Sequence, residues 1–275
     1  SNFRAYLNGF SENMQDILDN FKFDVEITTM ADNDALFYVI QEFNKADAYL
    51  GPDKMTSTDM GYVFEELVRK FSESYNEEAG AHFTSRDIIY LMTDLLLIED
   101  KNTLFKEHVF KTVYDQTMGT SQMLSAMTER IHDMNDTAEV ATFGQELNPE
   151  TYAIAKADTM IRGGEPENMA LGSTLTNDHF EGFKFDYCIS NPPFGVDWKK
   201  DQKAVKSEHE LGELGRFGVG LPRISDGQLL FQLNGLSKLK ETGRMTIIHN
   251  GSALFSGNPG GGESLIRSEE RRVGK

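Results

Sequence analysis

Apolar positions recur at helical spacing through the first part of the chain and turn to strand spacing only later. Met14, Ile17, Leu18 and Phe21 follow a capping Ser11, and Leu36, Phe37, Ile40 and Phe43 make a second stripe. Residues three and four apart share a helix face, so each set predicts a helix with one buried side. A third helix is expected from about Thr58-Asp59, with Val63, Phe64, Leu67, Val68 and Phe71 together and acids in its first turn. These stripes read as core, not as ligand contacts. Residues 1–76 are therefore expected to form an N-terminal helical subdomain.

Thr84 or Ser85 can cap the next helix, which carries Ile88, Ile89, Leu91, Met92, Leu95 and Leu96. Strand and helix then alternate. Thr112 to Asp115 reads as a strand, Met123 to Ile131 as a helix, and Val140 to Phe143 as a strand ending at Gly144-Gln145-Glu146. Asn148-Pro149 opens a helix that stops near Gly163. A weaker strand is expected around Met169 to Leu175, and a strong one from Phe185 into Asn191. After a polar, solvated loop from Gly195 to Ser225, Asp226 caps a helix ended by Gly243, and Met245 to His249 form the last strand. Such alternation predicts an α/β fold, a mostly parallel sheet flanked by helices.

The composition narrows the class. A 275-residue chain with 39% hydrophobic and 26% charged residues is ordinary for a soluble globular protein. No apolar run is long enough for a bilayer, and the N-terminus lacks a basic-then-apolar leader pattern. Cys188 stands alone, which excludes internal disulfides and a Cys-based zinc site and fits a cytoplasmic location. None of the six histidines pairs with others at metal-ligand spacing, so no catalytic metal is expected. A net charge of −17 argues against gripping nucleic acid unaided, because phosphate binding needs a basic surface. Either the substrate is not nucleic acid or a partner supplies the grip.

The chemistry centres on Phe185-Asp186-Tyr187-Cys188-Ile189-Ser190-Asn191-Pro192-Pro193-Phe194. The strand must stop at the prolines, and Asn191 is biased toward an extended conformation by the proline after it. An amide side chain, a free carbonyl and an aromatic ring are then held at the C-terminal edge of the sheet, where open α/β folds bind ligands. Two oxygen acceptors there can take both hydrogens of an exocyclic amine and favour a pyramidal nitrogen whose lone pair faces an electrophile. The ring of Phe194 can stack on a flat base. Taken alone, the tetrapeptide fits a simple strand-ending turn equally well.

Asp115 ends the first strand before a loop with one glycine, Gly119, and Glu146 ends the second. That order suits a nucleoside-bearing cofactor, with the second acid on the ribose hydroxyls. The loop is not G-x-G-x-x-G, so S-adenosylmethionine fits better than a dinucleotide.

These segments resemble the methylation subunit of type I restriction–modification systems, an N6-adenine DNA methyltransferase. The likeness runs through Met60 to Leu67, Gly80 to Met92, Val113 to Leu124, Phe143 to Gly163, Phe185 to Trp198 and Gly243 to Arg267. It implies a Rossmann-like methyltransferase domain over 77–267, with S-adenosylmethionine as cofactor and DNA as substrate. It also implies a specificity subunit, a restriction subunit and a second methylation subunit as partners, which accommodates the acidic charge. By the same resemblance, Ala81, His82, Phe83, Thr84, Ser85 and Arg86 match the motif that meets the methionine end of the cofactor. Asp115, Gly119, Thr120 and Ser121 match the cofactor loop, and Glu146 the ribose acid. Asn191, Pro192, Pro193 and Phe194 match the catalytic turn.

Three positions depart from the family pattern. Ser121 stands where glycine is common, Gln116 where proline is common, and Ser173 where an Asp or Asn helps hold adenine. They bear on cofactor affinity and leave the acceptor turn whole. The likeness ends after the fifth strand, so the sheet is expected to be incomplete, with an open edge beyond Met245 to His249. Residues 268–275 read as a polar tail of artificial origin. Lys199, Lys200, Lys203 and Lys206 could touch phosphates or simply be solvated. Rival readings are a protein-glutamine methyltransferase, an N4-cytosine methyltransferase and a non-catalytic assembly subunit.

Overall fold

The computed structural model describes residues 2–74, 84–255, 257–258 and 260–273. The chain opens with helices α1 (Asn2–Leu7), α2 (Glu12–Asn20), α3 (Phe23–Asp32), α4 (Leu36–Phe43) and α5 (Ser57–Ser74). Next come α6 (Arg86–Leu97), α7 (Lys101–Leu104), strand β1 (Phe110–Asp115), α8 (Gln122–Met134), β2 (Glu139–Glu146) and α9 (Pro149–Ile161). The rest comprises β3 (Met169–Leu171), β4 (Phe185–Ser190), α10 (Gln202–His209), α11 (Gln228–Ser237), β5 (Leu239–Ile247), α12 (Ser252–Phe255) and α13 (Gly262–Val273).

Ser11 caps α2 as its position predicts, accepting the N–H of Met14, and Ile17 is buried. The helix lies along α9, where the hydroxyl of Tyr152 and the ammonium of Lys156 both donate to Asp16, at 2.7 and 2.6 Å. The second stripe forms a helix but not a core: Phe37 is 69% and Phe43 77% exposed on α4. A helical period fixes spacing, not what stands opposite, and α4 packs against α3 alone among its stronger neighbours. On α5, too, Leu67 is exposed. The expected subdomain boundary near residue 76 lies outside the described residues.

The five strands are parallel, in the order β3-β2-β1-β4-β5. Helices cover both faces, so the central strands are apolar on both sides. Val113 and Tyr187, in register, join Ile89, Met92, Leu96 and Met127 on one face; Tyr114 and Cys188, the next pair, meet Phe180 and Phe185 on the other. Parallel pairing places every strand's C-terminal end at one edge of the sheet. β5 closes the series as an edge strand, the open edge the sequence predicts.

Several expectations need correction. β3 has three residues instead of running to Leu175. Gly227 occupies the N-cap of α11, with Asp226 accepting the N–H of Gln228 at 3.3 Å from one residue earlier. Gly243 does not end that helix; it lies within β5, opposite a register shift in β4. A Cβ there would meet the Phe185 carbonyl oxygen at 2.7 Å, so the glycine permits a close backbone approach. Residues 195–225 are not a loop throughout, although Lys199, Lys200, Lys203 and Lys206 are exposed as expected. The segment contains α10, and Trp198, Val205 and Phe217 are buried against Leu229, Leu230 and Leu233 of α11. The polar tail is likewise partly helical, since α13 runs on through Val273.

Candidate active site

A cavity of about 930 Å³ lies along the C-terminal edge of the sheet. Its walls bring together Thr84, Asp115, Glu146, Ser173 and the turn Asn191 to Phe194, which stand far apart in sequence. Gly119 and Thr120 also line it. The sheet explains most of the meeting: β1, β2, β3 and β4 run the same way, and each of these residues but Thr84, which lies just before α6, sits at or just beyond a strand end.

Two prolines stop β4, and Asn191 follows the last paired residue, Ser190. Its Nδ2 donates to the Thr84 hydroxyl at 2.9 Å. Its Oδ1 is buried and, among the described residues, has no hydrogen-bond partner. Leaving such an acceptor unmade costs about 1–3 kcal/mol, so it marks a place for an incoming donor. Phe194, 39% exposed, stands beside it on the cavity wall.

The loop after β1 is fixed by acids. Asp115 accepts the N–H of Thr117 at 3.0 Å, and Glu146 accepts from Gly119 at 3.0 Å and from Asn148 at 2.8 Å. Each Glu146 oxygen holds one backbone donor and retains a free lone pair. Burial pushes Asp115 up to about 8, against the Thr117 N–H and with a smaller push from the Glu146 charge. Gly119 has φ +54°, the left-handed region that glycine enters freely.

Other candidates lie elsewhere. Ser121 is also left-handed, φ +68°, but its hydroxyl turns to Asp158 at 3.3 Å and away from the cavity. Its backbone conformation accounts for glycine being common at this position. Ser85 holds the N-cap of α6 without making a side-chain cap, and lies outside the cavity wall. Arg86 points to Glu65, its Nε 3.1 Å away, and sits over the Tyr62 ring. Glu65 also receives Arg162 at 3.6 Å, so Arg86 joins α5, α6 and α9 rather than facing the cavity. Ala81, His82 and Phe83 lie outside the described residues.

Gln116 does not weaken the loop. Fully buried, it donates to Ser190 at 3.0 Å and accepts from Asn234 at 2.7 Å, tying β1 to β4 and α11. Asn234 accepts from Arg216 at 2.9 Å, which anchors the segment over the cavity. Burial raises the Cys188 thiol well above its ordinary range, which suits a strand residue and not a nucleophile. Sequence reasoning missed Trp198 and Asp201 on the cavity wall. The available signal was the scattered apolar set Trp198, Val205 and Phe217 within an otherwise polar stretch.

Among the described residues, no three His, Cys, Asp or Glu side chains gather as a metal site, and no helix is long and apolar enough to cross a membrane.

Residues 56–269 match the N-6 DNA Methylase family profile. A curated relative, the type I restriction enzyme MjaIX methylase subunit of Methanocaldococcus jannaschii, is 23% identical over 82% of this chain and 38% of its own length. The crystal structure of a type I restriction-modification methyltransferase subunit from Streptococcus thermophilus shares 28% identity over 68% of this chain and 37% of that one, with a TM-score of 0.55. A Listeria monocytogenes protein assigned to the class I S-adenosylmethionine-dependent methyltransferases is similar in fold, with a TM-score of 0.60 and 12% identity over 81% of this chain and 62% of that one. The chain spans about two fifths of the length of the curated relatives it matches, 38% and 43% for two of them.

Proposed function

Because the chain belongs to the N-6 DNA methylase family, we propose that its cavity transfers a methyl group from S-adenosylmethionine to the N6 amine of an adenine turned out of DNA. The buried, unpartnered Oδ1 of Asn191, in the same cavity as Asp115 and Glu146, carries this reading.

The residues fit such a cofactor. About 930 Å³ is at the upper end of the roughly 300–1,000 Å³ usual for ligand sites. Glu146 has lone pairs left for ribose hydroxyls, and Asp115 lines the same cavity as an acid that could meet a cationic group. When bound, the cofactor would supply a sulfonium methyl for the amine nitrogen and leave as S-adenosylhomocysteine. Asn191 Oδ1 and the Pro192 carbonyl accept the two hydrogens of the N6 amine, which turns its lone pair toward the methyl. The extra amine proton passes to solvent. Pro193 keeps the turn stiff, and Phe194 stacks on the extruded base.

Two of the three departures from the family pattern do not favour a non-catalytic assembly role, since Ser121 avoids the cavity and Gln116 braces it. Family membership sets aside the glutamine and N4-cytosine readings. A net charge of −17 leaves DNA gripping to partners: a specificity subunit, a second methylation subunit and, for cleavage, a restriction subunit, in the cytoplasm. Calorimetric titration of the chain with S-adenosylmethionine tests the cofactor reading. One saturable site is expected, lost in Glu146→Ala; no heat and no thermal shift would favour the assembly role.

A further inference from the structure

The segment between β4 and α11 contributes an acid to the cavity that none of the strand ends supplies. Asp201 lies at the N-cap of α10, where an aspartate ordinarily accepts a backbone N–H of its own helix. Here it makes no capping bond. It lines the cavity together with Ser173, and Arg216 of the same segment donates to the Thr174 carbonyl at 2.7 Å, which seats the segment at the end of β3. Burial raises the Asp201 carboxyl, opposed by Lys200 and by the Ser173 hydroxyl, so a hydrogen-bond donor arriving from the cavity would offset the desolvation.

The strand order says which part of a ligand reaches it. Asn191 follows β4, Glu146 ends β2, and Ser173 follows β3 at the far end of that row. A cofactor with its reacting methyl near Asn191 and its ribose at Glu146 would have its base beyond β2, toward the end of β3. The polar group an adenine offers there as a donor is its exocyclic amine.

We propose that Asp201 selects the adenine base of the cofactor, its carboxylate accepting a hydrogen from that amine. The assignment rests on the cofactor reading above. It moves the base-reading acid of this chain from the sheet edge to the folded segment over the cavity. Hypoxanthine, with a carbonyl oxygen in place of the amine, meets a carboxylate as acceptor against acceptor and is rejected.

The test is calorimetry on the whole chain with S-adenosylhomocysteine and with S-inosylhomocysteine, using protein whose thermal unfolding matches the wild type. The wild-type chain is expected to prefer the adenine ligand by at least tenfold. Asp201→Asn, whose amide can donate to the carbonyl, should erase that preference while keeping S-adenosylhomocysteine affinity within a few fold. Asp201→Ala should weaken the adenine ligand about tenfold. Variants that retain the full preference overturn this assignment alone. A wild-type chain that binds neither ligand overturns the cofactor reading and the assignment with it.

Discussion

Asn191 and Thr84 meet side chain to side chain, with Asn191 Nδ2 donating to the Thr84 hydroxyl at 2.9 Å and the amide oxygen left buried and unpartnered. They lie 107 residues apart, one on the proline turn and the other just before α6. The contact holds the amide in place, which predicts a positioning role for Thr84. Thr84→Val, similar in shape without the hydroxyl, should lower kcat for methyl transfer about ten- to a hundredfold and leave the cofactor Kd within about threefold. Thr84→Ser should recover most of the rate. Equal losses in cofactor binding and kcat would assign Thr84 to the cofactor instead.

Asp115 makes stability depend on pH. Its folded-state pKa of about 8 is raised above the ordinary 3.8, so the folded chain keeps a proton that the unfolded chain gives up in between. The stability it contributes is present below about pH 4 and lost as pH rises through about 8. Urea unfolding should show the wild type losing about 2–5 kcal/mol more than Asp115→Asn between pH 5 and pH 8.5. Affinity for the cationic cofactor should move the other way, tightening as Asp115 ionises. Parallel stability curves for the two proteins would contradict the raised value.

Ser121 holds a left-handed backbone that costs a non-glycine residue about 1 kcal/mol, against one long hydroxyl bond of 3.3 Å to Asp158. Ser121→Gly should therefore stabilise the chain by about 0.5–1 kcal/mol in denaturant unfolding. Cofactor affinity should stay within about twofold, because the side chain is outside the cavity. A large gain in affinity would mean that the serine obstructs the loop.

The parallel sheet was legible because strands buried on both faces, such as Thr112 to Asp115 and Phe185 to Ser190, are short apolar runs set between helical periods. The placement of Asp115, Glu146 and Asn191 on one edge was legible for the same reason, since parallel strand ends share it. Burial of individual helices was not: Phe37 and Phe43 keep helical spacing yet face outward, because spacing says nothing of neighbours. Gly243 was misread because a glycine that ends a helix and one that allows two backbones to approach look alike in sequence. Asp201 stayed hidden because Trp198, Val205 and Phe217, which fold its segment over the cavity, follow no helical or strand period.

The account turns on Asn191 as an amine acceptor. The direct measurement is transfer of labelled methyl from S-adenosylmethionine to the N6 of adenine in DNA, by the wild-type chain and Asn191→Ala, each assembled with its partner subunits. The variant is expected to lose transfer by at least about a hundredfold while binding S-adenosylmethionine as the wild type does. Methylation by Asn191→Ala at the wild-type rate would contradict it.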